Sequence, residues 1–214
     1  MRVRLDGVRF NYVWVRDPKV YTNDDGSENS RYEAVVIVEP GSQADKAVDK
    51  AILDTAEEKW GEKAAAILKK LRSQDRVCYK DGNNNFTKDG EIRDGFADMM
   101  YFRPYRHASK GPVKVLNEFG KEITAETWSS FPTSDPGHPP RNGDYGAVMV
   151  NFWAQDSERG GQRINAELEI IMHTHDGDPL GSAGLSDAAV DDFASAYAKE
   201  QPTIPDDDAP GLRK

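Results

Sequence analysis

The stretch from Tyr145 to His173 constrains the fold more than any other part of the chain. Residues 145–155 and 162–173 are each the length of a strand, and the polar connector Asp156 to Gly161 joins them as an antiparallel hairpin. Along the first arm Val148, Val150 and Phe152 share one face, while Met149, Asn151 and Trp153 share the other, because successive side chains of an extended chain point to opposite sides. Such a pair has one face to bury, so the rest of the chain must supply more sheet or a helix to cover it.

Both are present. Val8 to Val15 is rich in aromatic and β-branched residues and reads as a strand beginning near Gly7, with Phe10, Tyr12 and Trp14 on one face. After the turn-rich Asn23-Asp24-Asp25-Gly26-Ser27, residues 31–39 form a second strand whose Ala34 to Val38 run predicts burial on both faces. Pro40 and Gly41 end it, and Ser42 is a helix N-cap with Asp45 in the first turn. Apolar residues from Ala44 to Leu71 then recur at three-to-four spacing, predicting a long amphipathic helix that Gly61 bends or divides. Residues 75–95 carry Asp, Asn and Gly clusters and read as a hairpin or loop. Strand signals return at 97–105 and 113–116, and the Pro-rich segment Ser129 to Pro140 reads as a long surface loop. Five or six strands, one substantial helix and no regular βαβ alternation predict a mainly β, partly open barrel.

With 214 residues the chain suits one main domain, assigned to residues 1–181. A short helical segment is expected at 182–200 and a disordered acidic tail at 201–214. The hydrophobic share of 37% and charged share of 30% fit a soluble globular protein. No apolar run is long enough for a membrane span, and the first residues lack a secretory signal, so a cytoplasmic location and no membrane partner are expected. The single cysteine, Cys78, excludes an internal disulfide and reads as a small half-buried residue.

Enzyme signatures are sparse. There is no phosphate-binding loop of the Walker type, no dinucleotide glycine signature and no His-Glu-x-x-His motif. Asp81 to Asn85 begins like a calcium loop, but Phe86 stands at the glycine position and Ile92 where the bidentate glutamate belongs. His173-Thr174-His175-Asp176-Gly177-Asp178 offers ligands for zinc or manganese, yet its Asp-Gly pair at a strand end reads as a turn. A metal nuclease would draw on Asp144, Asp156, Glu167 and Glu169, whose alternation on a strand is equally that of exposed acids. No catalytic residue, metal site or cofactor is therefore assigned.

The net charge of −9 argues at first against a polyanionic partner, but two thirds of it lies from His173 onward. In the remainder, cations lie beside aromatics, the pattern that binds single strands: rings stack on bases and Lys or Arg follow the phosphates. The candidate nucleic-acid-binding residues are Arg9, Arg16, Lys19, Arg31, Arg103 and Arg106 for phosphates, with Tyr12, Trp14, Tyr101, Tyr105 and Trp153 for stacking. Phe10, Phe102 and Phe152 are assigned to the core.

The order of several short motifs resembles that of the OB-fold single-stranded-DNA-binding proteins of tailed bacteriophages. They are Arg9-Phe10-Asn11-Tyr12, Arg31-Tyr32-Glu33-Ala34 leading to Glu39-Pro40, the Ala-rich helix, and Arg93-Asp94-Gly95. Further on come Tyr101-Phe102, Ser109-Lys110-Gly111-Pro112-Val113, Gly143-Asp144-Tyr145-Gly146, Asn151-Phe152 and Asp176 to Gly181. The resemblance implies an OB-fold-like five-stranded partly open barrel with an added long helix and extended loops. It also implies a non-catalytic protein that coats exposed strands during phage DNA replication or recombination in the cytoplasm of an infected bacterium. In the standard OB fold the helix follows the third strand, whereas here it follows the second. Single-stranded DNA is the expected partner, with replication or recombination proteins engaged through the acidic tail; a homodimer, a metal-dependent nuclease and a scaffold module without DNA binding stay open as alternatives. The tail is further expected to compete with DNA for the groove, as a tethered polyanion.

Overall fold

The computed structural model describes residues 1–23, 25–132, 136–158 and 160–180. The helical segment expected at 182–200 and the acidic tail lie outside the described residues. In chain order the strands and helices are β1 (Arg2–Thr22), β2 (Glu28–Val38), α1 (Gln43–Trp60), α2 (Ala64–Ser73), β3 (Lys80–Asp81), β4 (Met100–Phe102), β5 (Tyr105–His107), β6 (Lys114–Leu116), β7 (Glu122–Ile123), β8 (Tyr145–Ser157) and β9 (Gly161–His175). The described strands form one sheet in the order β3-β4-β2-β1-β8-β9-β6-β7, with β5 also paired to β2. All the pairings are antiparallel except that of β6 with β9.

The sheet curls but does not close. Near β3, Val77 makes a parallel bridge to Ile164 of β9, with Cys78 N–H donating to the Ile164 carbonyl at 3.0 Å. Near β5, Arg106 donates to Glu167 of β9 at 2.8 Å, and Lys110 reaches the same carboxylate at 2.8 Å. These contacts draw the two sides of the sheet together into an OB-like, partly open barrel. Four long strands carry most of it, and short strands supply more than the five expected.

β1 serves two neighbours. Arg2 to Arg9 pair with β8, and Arg9 to Thr22 pair with β2. A single strand bends this far only where extra residues interrupt its register, and shifts occur between Asp6 and Val8, between Asn11 and Trp14, and between Trp14 and Lys19. The second interruption corrects the expectation that Phe10, Tyr12 and Trp14 share a face. Tyr12 has φ 47°, so strict alternation fails there: Phe10 pairs with Val36 and faces the core, while Trp14 pairs with Glu33 on the other side of the sheet.

The core contains Phe10, Phe102 and Phe152, all fully buried, with Val36, Val38, Val148, Val150, Leu168 and Ile171. α1 covers it with Ala44, Val48, Ala51, Ile52 and Ala56. Ser42 caps α1 by accepting from Asp45 N–H at 3.1 Å, and Asp45 returns a bond from Gly41 N–H at 2.8 Å. Gly61, at φ 57°, ends that helix in the left-handed region and separates it from α2 through a short 3₁₀ turn. On the opposite face of β2, Val35 and Ile37 pack with Phe96 and Leu180 in a second small cluster, so the strand is buried on both sides. The Pro-rich segment departs from a surface loop at its end, where Gly137 to Pro140 are buried. Among the described residues no helix is long and apolar enough to cross a membrane.

Candidate nucleic-acid interface

Cross-strand partners share a sheet face. On the face of β2 turned away from the main core, Glu33 therefore lies beside Trp14 of β1 and Tyr105 of β5, and Arg31 beside Lys19 and His107. Glu33 sits at the floor, 1% exposed. Its carboxylate accepts from the Tyr21 hydroxyl at 2.6 Å and from Arg31 Nε at 2.9 Å, and Arg103 Nη1 lies 3.7 Å away. A buried carboxylate requires such partners, so one acid fixes an aromatic and two cations in place.

The rings and cations interleave above it. The Arg31 guanidinium lies 4.1 Å from the Tyr21 ring centre and 4.7 Å from that of Tyr105. Lys19 lies 5.0 Å from the Tyr21 ring and 5.7 Å from that of Trp14, which is 46% exposed. Arg103 stands 5.9 Å from the Tyr12 ring, and the Tyr12 hydroxyl accepts from Arg93 at 3.2 Å. Burial alone would lower the Arg31 pKa, but its contact with Tyr21 and the charge of Glu33 hold it above the usual arginine value. The platform is thus permanently cationic at Arg31.

Six of the eleven expected residues come together here: Tyr12, Trp14, Lys19, Arg31, Arg103 and Tyr105. Tyr101 lies beside them on the same face, its ring edge-on to Phe96 at 5.1 Å in the small cluster. Arg16 is exposed, with Asp17 at 3.7 Å. Arg9 is engaged differently: it donates to the carbonyls of Gly143 at 2.9 Å and Asp178 at 2.6 Å, with its guanidinium 5.3 Å from the Tyr145 ring. That contact needs Gly143, whose φ is 100° and where a Cβ would collide with the Asp178 carbonyl. Arg106 points to the other face of β5 and joins Glu167 across the barrel gap. Trp153 lies on β8 opposite Asn165, in a separate depression lined by Met1, Glu58 and Lys59. Neither Arg106 nor Trp153 joins the platform.

Tyr21 and Glu33 belong to this cluster but are not among the residues expected from the sequence. The signal for Tyr21 was its two-residue spacing from Lys19 at a strand end. For Glu33 it was an acid entering a fully apolar run directly after Arg31 and Tyr32. The acids considered for metal catalysis do not converge as a group: Asp156 is held by Trp60 Nε1 at 2.9 Å, Glu167 by Arg106 and Lys110, and Glu169 by Arg2 at 2.6 Å. The bond from Trp60, then that from Gln162, lowers the Asp156 pKa.

The chain belongs to the family described as the single-stranded-DNA-binding protein of Enterobacter phage Enc34, whose model matches residues 1–204. Its fold is similar to that of a structure titled single-stranded DNA-binding protein from bacteriophage Enc34 in complex with ssDNA, at 18% identity and a TM-score of 0.61, covering 84% of this chain and 89% of that one. A second structure, titled single-stranded DNA-binding protein from bacteriophage Enc34, gives 17% identity and a TM-score of 0.59 over 87% and 89% of the two chains. Its C-terminal truncation gives 15% identity and 0.59 over 84% and 88%. Among curated proteins no match is found.

Proposed function

We propose that this chain is a non-catalytic phage protein that binds single-stranded DNA along the outer face of β1, β2 and β5. Family membership supports the class of ligand, and the cation and ring cluster around buried Glu33 supports the place. Bases stack on the accessible faces of Trp14, Tyr21 and Tyr105, while Lys19, Arg31 and Arg103 neutralise phosphates, a combination with little sequence preference because every base has a flat face. In this reading Tyr12 and Arg93 extend the platform, Arg16 adds charge at its margin, and Arg9 holds the Gly143 and Asp178 backbone beside it. Coating exposed strands during replication or recombination in the infected host cytoplasm follows from that activity, and the acidic segment containing Asp206, Asp207 and Asp208 competes for the same cations.

Titration of the full chain with single-stranded and duplex oligonucleotides at two salt concentrations tests the proposal. If three phosphates are neutralised, log affinity falls with log salt at a slope of about −2, from ~0.7 per phosphate. Affinity independent of salt, or negligible binding at low salt, overturns it. Cleavage of a labelled strand on addition of magnesium or manganese would favour a nuclease instead.

A further inference from the structure

We propose that Arg76, Lys80, Arg163 and Asn165 form a phosphate site at the seam between β3 and β9, which takes a backbone phosphate of a bound single strand; the identity of that ligand rests on the proposed strand-binding function. The four residues line one depression of about 170 Å³. None of them belongs to the platform around Glu33.

Backbone pairing brings them together from distant parts of the chain. Val77 and Ile164 form the parallel bridge, with Ile164 N–H donating to the Arg76 carbonyl at 3.1 Å. Both bridging side chains are buried in the core, so alternation turns Arg76, Arg163 and Asn165 to the opposite side. Arg76 is held there by Nη1, which donates to the carbonyls of Gly160 at 3.4 Å and Gln162 at 3.3 Å. Gly161 makes room for it: its φ is 61°, and a Cβ would come within 2.5 Å of Arg76 Nη1.

The donors here lack acceptors. Arg163 Nε and Asn165 Nδ2 are both enclosed, and neither has a hydrogen-bond partner among the described residues. Enclosed donors are nearly always satisfied, so two on one side of one strand point to an acceptor from outside the chain. Charge says which kind. Among the described residues neither Arg76 nor Arg163 has a carboxylate partner, whereas Arg31, Arg72 and Arg106 each have one. Asp75 is the one carboxylate lining the depression; it is exposed and already engaged by Lys80 at 2.5 Å. A water molecule would satisfy a donor but leave these like charges facing one another. A phosphate does both, and a guanidinium fork matches two of its oxygens.

The site continues the platform. Lys80 pairs with Tyr101 in the β3–β4 register, and both line a second depression of about 500 Å³ with Arg72. Tyr101 pairs in turn with Ile37, in the small cluster that Tyr12 also joins. Rings and cations therefore follow one another from Tyr12 over Tyr101 and Lys80 to Arg76 and Arg163. Trp153, opposite Asn165, lines a different depression, so the path ends at β9.

The test titrates the full chain, Arg163→Gln and Lys80→Gln with a labelled single strand over a series of sodium chloride concentrations. Each neutralised phosphate adds ~0.7 to the slope of log affinity against log salt, so either variant should give a slope shallower by about 0.7 and roughly three- to tenfold lower affinity at low salt. Trp14→Ala should weaken binding and keep the slope, because stacking releases no counterion. The thermal midpoint of Arg163→Gln should not fall, since the lost charge has no protein partner. Parent affinity and slope in both Arg163→Gln and Lys80→Gln overturn the proposal. A second arm compares thermal midpoints in inorganic phosphate and in sodium chloride of equal ionic strength, without DNA. A rise in the unmodified chain that Arg163→Gln loses supports the anion site; joined to unchanged strand binding, it assigns the site to free phosphate and overturns the backbone assignment. An unmodified chain that binds no strand at low salt sinks the strand-binding function and the backbone assignment together, and the phosphate arm then decides the anion site by itself.

Discussion

Tyr21 donates its phenolic proton to the buried carboxylate of Glu33 at 2.6 Å, tying the far end of β1 to the middle of β2. Hydrogen bonds to a charged partner contribute roughly 1.5–3 kcal/mol, and partial exposure places this one near the lower end. Tyr21→Phe is therefore expected to lower stability by about 1–2 kcal/mol in urea unfolding while keeping the ring. It should also weaken strand binding, because the Glu33 carboxylate that holds Arg31 loses one of its two hydrogen bonds. Unchanged stability would remove Glu33 as the organiser of the platform.

Stacking predicts a contrast between two tryptophans. Trp14→Ala should cost ~1–3 kcal/mol of single-strand affinity, and Tyr105→Ala a similar amount. Trp153→Ala should leave affinity within about twofold, since its depression lies elsewhere on the barrel. Fluorescence anisotropy with a labelled oligonucleotide measures all three. Equal losses at Trp14 and Trp153 would mean that the binding path crosses β8.

Arg106 and Glu167 bridge the barrel gap. Removing the guanidinium leaves a largely enclosed carboxylate with Lys110 alone, so Arg106→Ala is expected to destabilise the fold by about 1–2 kcal/mol. At a salt concentration where the variant is fully folded, its strand affinity should match the parent. A selective loss of affinity without loss of stability would return Arg106 to the binding surface.

Alkaline pH should weaken the fold. Burial pushes the Cys78 thiol up to about 12 from an ordinary value near 9. Burial, and then the hydrogen bond to Asp45, also raise the Tyr79 phenol above its usual range. Both groups are neutral when protonated and hold that proton more tightly when folded, so their stabilisation is complete below pH ~9 and declines as pH rises toward 12. Chemical unfolding across that range checks the sign. Alkylation of Cys78 at pH 8 should correspondingly be slow in the folded chain and fast in urea.

Deleting residues 201–214 should tighten single-strand binding, with the largest effect at low salt, where a tethered charge competes best. Equal affinity with and without the segment across the salt range would exclude competition.

Much of the architecture is legible in one sequence because periodicity and caps are local properties. The 145–173 hairpin, the Ser42 cap, the break at Gly61 and the double-sided burial of the Ala34 to Val38 run all follow from neighbours in the chain. The platform is only partly legible. A positive φ at Tyr12, unusual for a non-glycine residue, reverses which side Trp14 faces, and nothing in the alternation of types announces it. Arg106 and Trp153 have the right chemistry but point elsewhere, a matter decided by strand register. Glu33 looks like ordinary strand punctuation until the fold encloses it, and Arg163 gains its neighbours only when distant segments meet.

The division of β1 between β8 and β2 also has a bearing on how the protein is made. Its opening residues find their partners only at Val148 to Asn151, far later in translation, so hairpin formation with β2 cannot by itself complete the barrel. Until the ribosome has released β8, that N-terminal edge remains open to pairing with another nascent chain, and late closure over so long a loop favours slow folding.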